Sequence, residues 1–338
     1  MERNIAANQV VESGLELLEE GLVARTWGNI SCRLDNNSFL ITPSGMDYTR
    51  TTPDDLVEIS LEDGEATGKR KPSSEKGVHA AAYEIFAEAN FVIHTHQDYA
   101  SAIGVSGFSK LDITPDEARA LGGIAEAKYG LPGTKMLMKA IKKAFAGGAH
   151  TVLMKHHGVV IAAKSREEAF CRIKLLEDIC RRNCRGVNKS IRPAGNSDAM
   201  LSWMKEIFPL VEIVRTEAAL TQASRRNPVI AQLDDMAQMI GRKIPVVDLG
   251  ENPAEEELLV AVSEAFEETN AILMPGLGGI VLGQDEDDTE ALGLLLNKSC
   301  ICALNSTANG DKARLSIIDT ALMRNTYVKK YSKQKYEK

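Results

Sequence analysis

The chain has 338 residues, of which 44% are hydrophobic and 26% are charged, and its formal net charge at pH 7 is -7. This composition is typical of a globular protein with room for two domains, and it argues against a chain dominated by disorder. The acidic excess excludes a general affinity for nucleic acid or anionic lipid based on charge, so any anionic ligand must be bound by local groups.

The chain shows no sign of export or of a membrane anchor. Its N-terminal segment lacks the apolar core of a signal peptide, and no stretch reaches the roughly 18 apolar residues that a membrane span needs. We therefore expect a cytoplasmic location. The six cysteines form no C-x-x-C pair, and a long chain in the reducing cytosol needs no disulfide framework, which indicates packing roles.

The predicted elements of the first half alternate between helices and strands. Apolar residues at helical spacing predict a helix from Ile5 to Glu20, which Gly21 ends. "NISCRL" and "SFLITPS", separated by a turn sequence, predict a hairpin, and "DLVEISLEDGEATG" predicts a further strand and turn. The later elements are a helix over 74–89, the buried strand "NFVIHTH", a helix over 135–145, the paired strands of "AHTVLMKHHGVVIAA" and a helix over 166–184. This order favours a layered α/β domain.

The second half repeats part of the first. After a predicted linker near 186–198, "MKEIFPLVEIVRTEAALTQA" at 204 matches "YEIFAEANFVIHTHQDYASA" at 83, and "AILMPGLGGIVLGQDEDDTEA" at 271 matches "TVLMKHHGVVIAAKSREEA" at 151. Internal copies of this length usually fold alike. With an offset near 121, Arg215 stands opposite His94, Glu217 opposite His96 and Leu277 opposite His157, so only the first copy is expected to carry chemistry that needs histidine.

All six histidines lie between residues 79 and 157. A single histidine on an apolar face is most often a hydrogen-bonded core residue, but His94 and His96 flank one threonine on a predicted strand. Side chains alternate between the faces of a strand, so these two rings point the same way. A third imidazole from "KHHG" completes a set of three, which is typical of a catalytic zinc site.

Glu75 of "KPSSEKGVH" is the candidate acid or base. A glutamate at a helix N-terminus is commonly only a favourable partner of the helix dipole, but Glu75 precedes the helix that leads into the His-x-His strand, where it could move a proton beside a metal. Small residues with N–H or hydroxyl donors could surround a phosphate, although each is also a common turn sequence. They are Gly28, Asn29, Ser44, Gly45, Ser73 and Ser74.

Several segments together resemble one known family. "TWGNISCR", "ITPSGMDY", "KPSSEKGVHAAAY", "VIHTHQDYASA", "YGLPGT" and "LMKHHGVVIAA" occur in the order and at the spacing of the class II aldolase/adducin family, typified by L-fuculose-1-phosphate aldolase. The resemblance implies a three-layer αβα sandwich over residues 1–190. The chain would then continue, over residues 199–338, with a truncated and divergent repeat of the same fold that lacks the metal ligands.

The resemblance also implies roles for individual residues. His94, His96 and His157 would bind Zn²⁺ or another divalent transition metal, while His156 would not. Glu75 would act as the acid/base residue, and the six small residues would bind the phosphate of a sugar phosphate. The implied reaction makes or breaks a carbon–carbon bond through an enediolate, with a small phosphorylated sugar or an aldehyde as substrate, in a homo-oligomer.

Three alternatives remain open at this stage. Related members of the family epimerise a sugar phosphate at C4 or dehydrate one, but the epimerases usually have aspartate where this chain has Glu75, which favours an aldolase. An adducin-like binding protein would keep the fold without catalysis, yet the adducins lack the three histidines that this chain retains. A regulatory second half, attached to an active first half, is the third alternative.

Overall fold

The computed structural model describes residues 1–24, 26–195, 197–250, 254–311 and 313–331. It divides into two compact units, Met1–Asn183 and a second unit that begins at Cys184. The predicted domain boundaries, 1–190 and 199–338, stay predictions, and residues 332–338 of the second lie outside the described chain. None of the described helices combines the length and the apolar character needed to cross a bilayer.

The first unit is built on one eight-stranded sheet. Its strands are β1 (Asn29–Arg33), β2 (Ser38–Ile41), β3 (Val57–Ser60), β4 (Ala66–Thr67), β5 (Phe91–Thr95), β6 (Ile124–Ala127), β7 (Thr151–Met154) and β8 (Gly158–Ala163). They lie in the order β4-β3-β2-β1-β5-β8-β7-β6, in which β6 and β7 pair in parallel and the other neighbours antiparallel. Its helices are α1 (Arg3–Glu19), α2 (Lys76–Ile85), α3 (Asp98–Ser106), α4 (Pro115–Ala120), α5 (Lys135–Ala146) and α6 (Arg166–Asn183).

Helices cover both faces of this sheet. Consecutive residues of β1 point to opposite sides, since Ser31 contacts Tyr83 of α2 whereas Cys32 contacts Met1 beside α1. Helices α2 and α5 pack on the first side over a core that includes Phe39, Val92 and Val160, while α3 and α6 pack together and against β8. Arg166 of α6 bonds to Ser13 of α1 and joins α1 to that layer. The predicted αβα sandwich is therefore confirmed.

Helix α2 is shorter than the sequence pattern predicts, because both of its ends are fixed by other residues. It begins at Lys76 rather than Ser74, since the Ser73 hydroxyl accepts a hydrogen bond from the Glu75 N–H just before the first turn. It ends at Ile85 because the Arg33 guanidinium donates to the carbonyl oxygens of Tyr83, Phe86 and Ala89. A helix end needs such donors, and residue periodicity alone does not show where they come from.

Glu177 of α6 secures the start of α3, the helix that follows the His-x-His segment. Its carboxylate accepts hydrogen bonds from the backbone N–H groups of Tyr99 and Ala100, at 2.9 and 3.0 Å. Burial raises the pKa of Glu177 to about 7, and the nearby Asp98 adds to the effect, while these two hydrogen bonds oppose it. The folded protein therefore binds this proton more tightly than the unfolded chain does.

This raised pKa predicts a loss of stability with rising pH. Because the folded-state pKa exceeds the unfolded value of 4.5, the stabilising contribution is full below about pH 4.5 and is lost as the pH rises through 7. Each pKa unit corresponds to 1.36 kcal/mol. Between pH 4.5 and pH 8 we therefore expect the free energy of unfolding of the wild type to fall by about 3 kcal/mol more than that of Glu177→Gln. Urea titrations of both proteins at pH 4.5 and pH 8 measure this difference, and equal pH slopes would contradict it.

The second unit contains a smaller sheet with the same kind of helical cover. Strands β9 (Val211–Val214), β12 (Ala271–Met274) and β13 (Gly278–Leu282) form a sheet in the order β12-β13-β9, and β10 (Val229–Ile230) pairs with β11 (Lys243–Ile244). The helices are α7 (Ser197–Ile207), α8 (Glu217–Ser224), α9 (Asp234–Met239), α10 (Glu255–Glu268), α11 (Glu286–Ala308) and α12 (Ile317–Thr326). Met204, Val262 and Ile280 belong to its core.

Strand register relates β9, β12 and β13 to β5, β7 and β8. Gly278 pairs with Met274 as Gly158 pairs with Met154, and Gly279 pairs with Val214 as Val159 pairs with Thr95. Val214 therefore corresponds to Thr95. This places Ile213 opposite His94 and Arg215 opposite His96, so the sequence alignment that puts Arg215 opposite His94 is wrong.

The error has a structural cause. The connection from helix to strand covers residues 86–90 in the first unit but only 208–210 in the second, so an alignment anchored on the helices slips along the strands. The match of Leu277 with His157 is unaffected, since the N–H of each bonds to the carbonyl of the methionine three residues earlier.

Candidate metal centre and acid/base site

The structure brings the three predicted metal ligands together. His94 lies in β5, His96 follows the end of that strand, and His157 lies in the turn between β7 and β8. Because β8 pairs directly with β5, the turn at the start of β8 lies beside the end of β5. His94 and His157 are buried and His96 is half-buried, and one potential ligand nitrogen from each ring lies within 4.8 Å of the others.

The donor set fits a divalent transition metal. The Nδ1 of His94 is 2.7 Å from the carbonyl oxygen of Val159, so it carries the proton and donates it, which leaves the Nε2 lone pair for a ligand. That Nε2 lies 2.9 Å from the Nε2 of His96. The rings of His94 and His157 are stacked, with centroids 4.9 Å apart. Three imidazoles are a common protein ligand set for catalytic zinc and suit several neighbouring metals.

Two glycines allow the backbone to approach β5 closely. A Cβ atom at Gly158 would lie 2.3 Å from the carbonyl oxygen of Thr95 and 3.2 Å from Cε1 of His94. A Cβ atom at Gly28, whose φ is +83°, would lie 2.3 Å from the carbonyl oxygen of His94. Both contacts are closer than any side chain tolerates, so glycine is required on either side of β5, which carries the candidate ligand His94.

The Gly158→Ala substitution is therefore expected to disturb the site through the backbone. The added methyl group must push β8 away from β5, which we expect to destabilise the fold by about 1–3 kcal/mol and to weaken metal binding at least about tenfold. Thermal unfolding and metal titration measure the two effects. Gly195→Ala is the matched control, since nothing lies within 4 Å of its Cβ position, and equal behaviour of the two variants would refute the steric argument.

The Glu75 carboxylate faces the imidazoles. Its Oε2 lies 3.2 Å from the Nε2 of His94, and its Oε1 lies 3.1 Å from the Nε2 of His157. Burial raises the pKa of Glu75, but electrostatic attraction to His94 and His157 and a hydrogen bond from Asn29 outweigh burial and hold the pKa well below its ordinary value. A buried carboxylate that is kept ionised next to a cationic centre can accept a proton and return it.

The six predicted phosphate-binding residues come from neighbouring segments. The Ser44 N–H bonds to the Lys71 carbonyl and the Ser73 N–H to the Thr42 carbonyl, which joins the segment around Ser44 to the one that leads to Glu75. Those two N–H groups are thus used within the protein. Gly45 and Ser74 are exposed, and Ser44 and Gly28 are partly exposed.

Asn29 has a role that its sequence position does not reveal. Its amide contacts Glu75 Oε2 at 3.0 Å and His79 Nε2 at 2.5 Å, so both polar atoms of the side chain have partners within the protein. The predicted phosphate-binding roles, including that of Asn29, stay predictions.

His156 lies next to the candidate ligand His157 but takes a different position. Its φ is +65°, a left-handed conformation that is uncommon for residues other than glycine, and its ring packs edge-on against Tyr129 with centroids 5.5 Å apart. The corresponding turn of the second unit has Gly276 at φ +81°. A non-glycine residue kept in this conformation costs on the order of 1 kcal/mol and is often found at a functional turn.

Sequence reasoning missed the contribution of His79. This residue is fully buried in α2, where it contacts Asn29 and Ser31. A signal was present, because residues four apart lie on the same face of a helix and His79 follows Glu75 by four residues. The link through Asn29 depends on the pairing of distant segments and could not be read from this spacing.

Comparison with known proteins connects these features to one family. The family described as "Class II Aldolase and Adducin N-terminal domain" matches residues 8–184 of the chain. This match covers the sheet of the first unit, the three histidines and Glu75, and it ends where the second unit begins.

Three curated relatives are similar to the same part of the chain. The chain is 33% identical over 165 residues to the 5-deoxy-D-ribulose 1-phosphate aldolase of Bacillus thuringiensis serovar kurstaki, covering 48% of this chain and 76% of the relative. It is 35% identical over 171 residues to the L-fuculose phosphate aldolase of Escherichia coli K12, covering 50% and 78%. It is 25% identical over 199 residues to the L-ribulose-5-phosphate 4-epimerase UlaF of Salmonella paratyphi B, covering 55% and 87%.

Proposed function

Because the chain belongs to the class II aldolase and adducin family, we propose that it is a metal-dependent aldolase that cleaves or forms a carbon–carbon bond in a small sugar phosphate. The observation that carries this proposal is the convergence of three imidazoles and one buried carboxylate at the edge of β5. A structural role needs no such cluster. An adducin-like binding role is disfavoured by the retention of all four groups.

His94, His96 and His157 are the proposed ligands of Zn²⁺ or another divalent transition metal. When bound, such a metal supplies a Lewis acid that stabilises negative charge on substrate oxygens as the carbon–carbon bond breaks. The protein holds the His94 ring in the ligating tautomer through Val159. Gly158 allows β8, and with it His157, to lie close to the same strand.

Glu75 is the proposed acid/base residue. Its carboxylate is only 8% exposed and is ionised, so it can take up a proton at the substrate carbon next to the carbonyl and return it in the reverse direction. The Asn29 amide donates to Oε2 and fixes that oxygen in place. A carboxylate that is already oriented does not need to reorganise during the reaction.

The phosphate of the substrate is proposed to bind among Gly28, Asn29, Ser44, Gly45, Ser73 and Ser74. Hydroxyl and N–H donors can bind a phosphate without a lysine. The joined segments around Ser44 and Ser73 lead directly into Glu75, so a bound phosphate would lie near the acid/base residue. Such an anchor would restrict the sugar to one orientation.

A 4-epimerase is the second candidate, because one relative carries that name. The glutamate at position 75 favours the aldolase, since the epimerases usually have aspartate there. Dehydration is a further reaction of the family. These alternatives share the proposed metal and acid/base residue and differ in the product that they release.

A screen of ketose phosphates distinguishes these activities. The purified protein is incubated with each sugar phosphate in the presence of Zn²⁺, and released dihydroxyacetone phosphate is detected by a coupled enzyme. We expect release with at least one substrate and its loss after chelation. Formation of a C4 epimer without dihydroxyacetone phosphate would contradict the aldolase proposal and support the epimerase. The absence of any product with every substrate would contradict both proposed activities.

We also propose that the second unit is a degenerate repeat of the first, truncated at its front and without metal ligands. The support is the shared strand register, in which Ile213, Arg215 and Leu277 occupy the positions of the three histidines. One metal per chain is the expected stoichiometry, and two would contradict this proposal. Homo-oligomer formation and the cytoplasmic location remain predictions.

A further inference from the structure

A row of buried polar side chains leads from the protein core to Glu75. The Tyr83 hydroxyl lies 2.8 Å from Ser31 Oγ, which lies 2.6 Å from Nδ1 of His79. The Nε2 of His79 is 2.5 Å from Asn29 Oδ1, and the Asn29 Nδ2 is 3.0 Å from Glu75 Oε2. All five side chains are buried and belong to β1, α2 and the residue before α2.

The direction of every hydrogen bond in this row follows from its Glu75 end. The Asn29 amide presents its N–H₂ group to Glu75 Oε2, to which it donates, and its carbonyl oxygen to His79 Nε2. That oxygen only accepts, so the proton of His79 must be on Nε2. The Nδ1 of a neutral imidazole then accepts, and the donor that reaches it is the Ser31 hydroxyl.

The far end of the row agrees with this direction. Since the Ser31 proton is given to His79, Ser31 Oγ must accept the proton of the Tyr83 hydroxyl. Burial raises the pKa of Tyr83 well above its ordinary value, so this hydroxyl keeps its proton. Burial also lowers the pKa of His79 to about 3, with a further contribution from His94, so the ring stays neutral. The donors therefore all point towards Glu75.

We propose that His79 is a positioning residue that holds the Asn29 amide in one orientation and thereby fixes the Glu75 carboxylate beside the metal ligands. The catalytic consequence rests on the proposed function, whereas the hydrogen-bond arrangement does not. Without the N–H of His79, the amide of Asn29 can turn by 180° and bring its oxygen against the carboxylate. Glu75 then loses its donor and its fixed orientation.

The first test reads the arrangement directly in the wild-type protein. Nitrogen NMR of ¹⁵N-histidine-labelled protein, with Zn²⁺ bound, reports which ring nitrogen of each histidine carries a proton. We expect His79 to be neutral between pH 5 and pH 8, with its proton on Nε2 and none on Nδ1. A proton on Nδ1, or a charged ring in this range, would overturn the proposal.

The second test separates positioning from structural support. His79→Leu removes both ring nitrogens, whereas His79→Gln keeps an amide donor that can reach Asn29. On the sugar phosphate found by the screen, we expect His79→Leu to lower kcat by roughly 10- to 100-fold with KM changed less than about threefold. His79→Gln is expected to restore kcat to within about fivefold of the wild type. Metal content should stay near one equivalent in both.

His150→Gln is the matched control, since that histidine lies outside the row and packs on Phe86. An unchanged kcat in His79→Leu, or an equal loss in the leucine and glutamine variants with intact metal binding, would overturn the positioning role. If His79→Leu does not fold, Tyr83→Phe, which removes one hydroxyl, must still shift the ¹⁵N resonance of His79 Nδ1. An unmoved resonance counts against the proposal. Absence of any wild-type activity would refute the proposed function alone, because the NMR result does not depend on turnover.

Discussion

Glu75→Gln is expected to lower the turnover of sugar phosphate cleavage by roughly 10²- to 10⁴-fold, the usual contribution of a general acid or base. The amide is nearly the same size as the carboxylate and can still accept a hydrogen bond from Asn29, but it cannot take up a proton. KM should change little, because phosphate and metal contacts remain. Steady-state kinetics together with metal analysis measure this outcome.

The control for this variant is Glu84→Gln. Glu84 lies near the end of α2, the helix that Glu75 precedes, but it is exposed and pairs with Lys142 at the surface, so its substitution should leave turnover unchanged. A Glu75→Gln enzyme that keeps more than a tenth of the wild-type turnover would show that another group moves the proton. A variant that loses its metal would instead assign Glu75 to metal binding.

His94→Ala is expected to reduce bound metal to less than about a tenth of an equivalent, and activity with it. Two imidazoles remain, but loss of one of three ligands removes a large part of the binding free energy of a catalytic zinc site. The rings of all three candidate ligands contact one another, so no other residue of the cluster takes the place of His94. Elemental analysis after dialysis against metal-free buffer measures the result.

The matched control for His94→Ala is His156→Asn. Asparagine tolerates the left-handed backbone at this position, so the turn is preserved while the imidazole adjacent to His157 is removed. This variant should keep about one equivalent of metal. Loss of metal in His156→Asn would mean that the wrong histidine of "KHHG" is assigned to the site, and retention of metal in His94→Ala would mean that His94 is not a ligand.

The metal centre could be predicted from the sequence because its parts are local. A residue period of two places His94 and His96 on one side of a strand, and "KHHG" marks a turn after a second apolar strand. What spacing could not supply is the pairing of β5 with β8, which puts the turn next to His94. That pairing was available only through the resemblance to a family.

The hydrogen bonds around Glu75 were harder to predict from the sequence. Asn29 and Glu75 are 46 residues apart, and their contact requires α2 to pack against β1, as the bonds of its His79 and Tyr83 to Ser31 show. The sequence suggested only that Asn29 could bind phosphate. The structure shows that this amide also bonds to His79 and Glu75, a contact that depends on packing across the sheet.

The second unit illustrates a different limit. Its likeness to the first is visible in the sequence, yet the exact correspondence depends on strand pairing, because the helix-to-strand connections differ in length. Register assigns Ile213 and Arg215 to the positions of His94 and His96. The two alignments differ by two residues along β9. Such a shift keeps the same face of the strand but assigns a different residue to each ligand position.

The most direct test of the metal centre is anomalous diffraction from crystals of the protein grown with Zn²⁺, recorded on both sides of the zinc absorption edge. The account predicts one peak per chain, within bonding distance of His94, His96 and His157 and next to Glu75. A map without a peak among these rings, or with the metal bound at other residues, would contradict it.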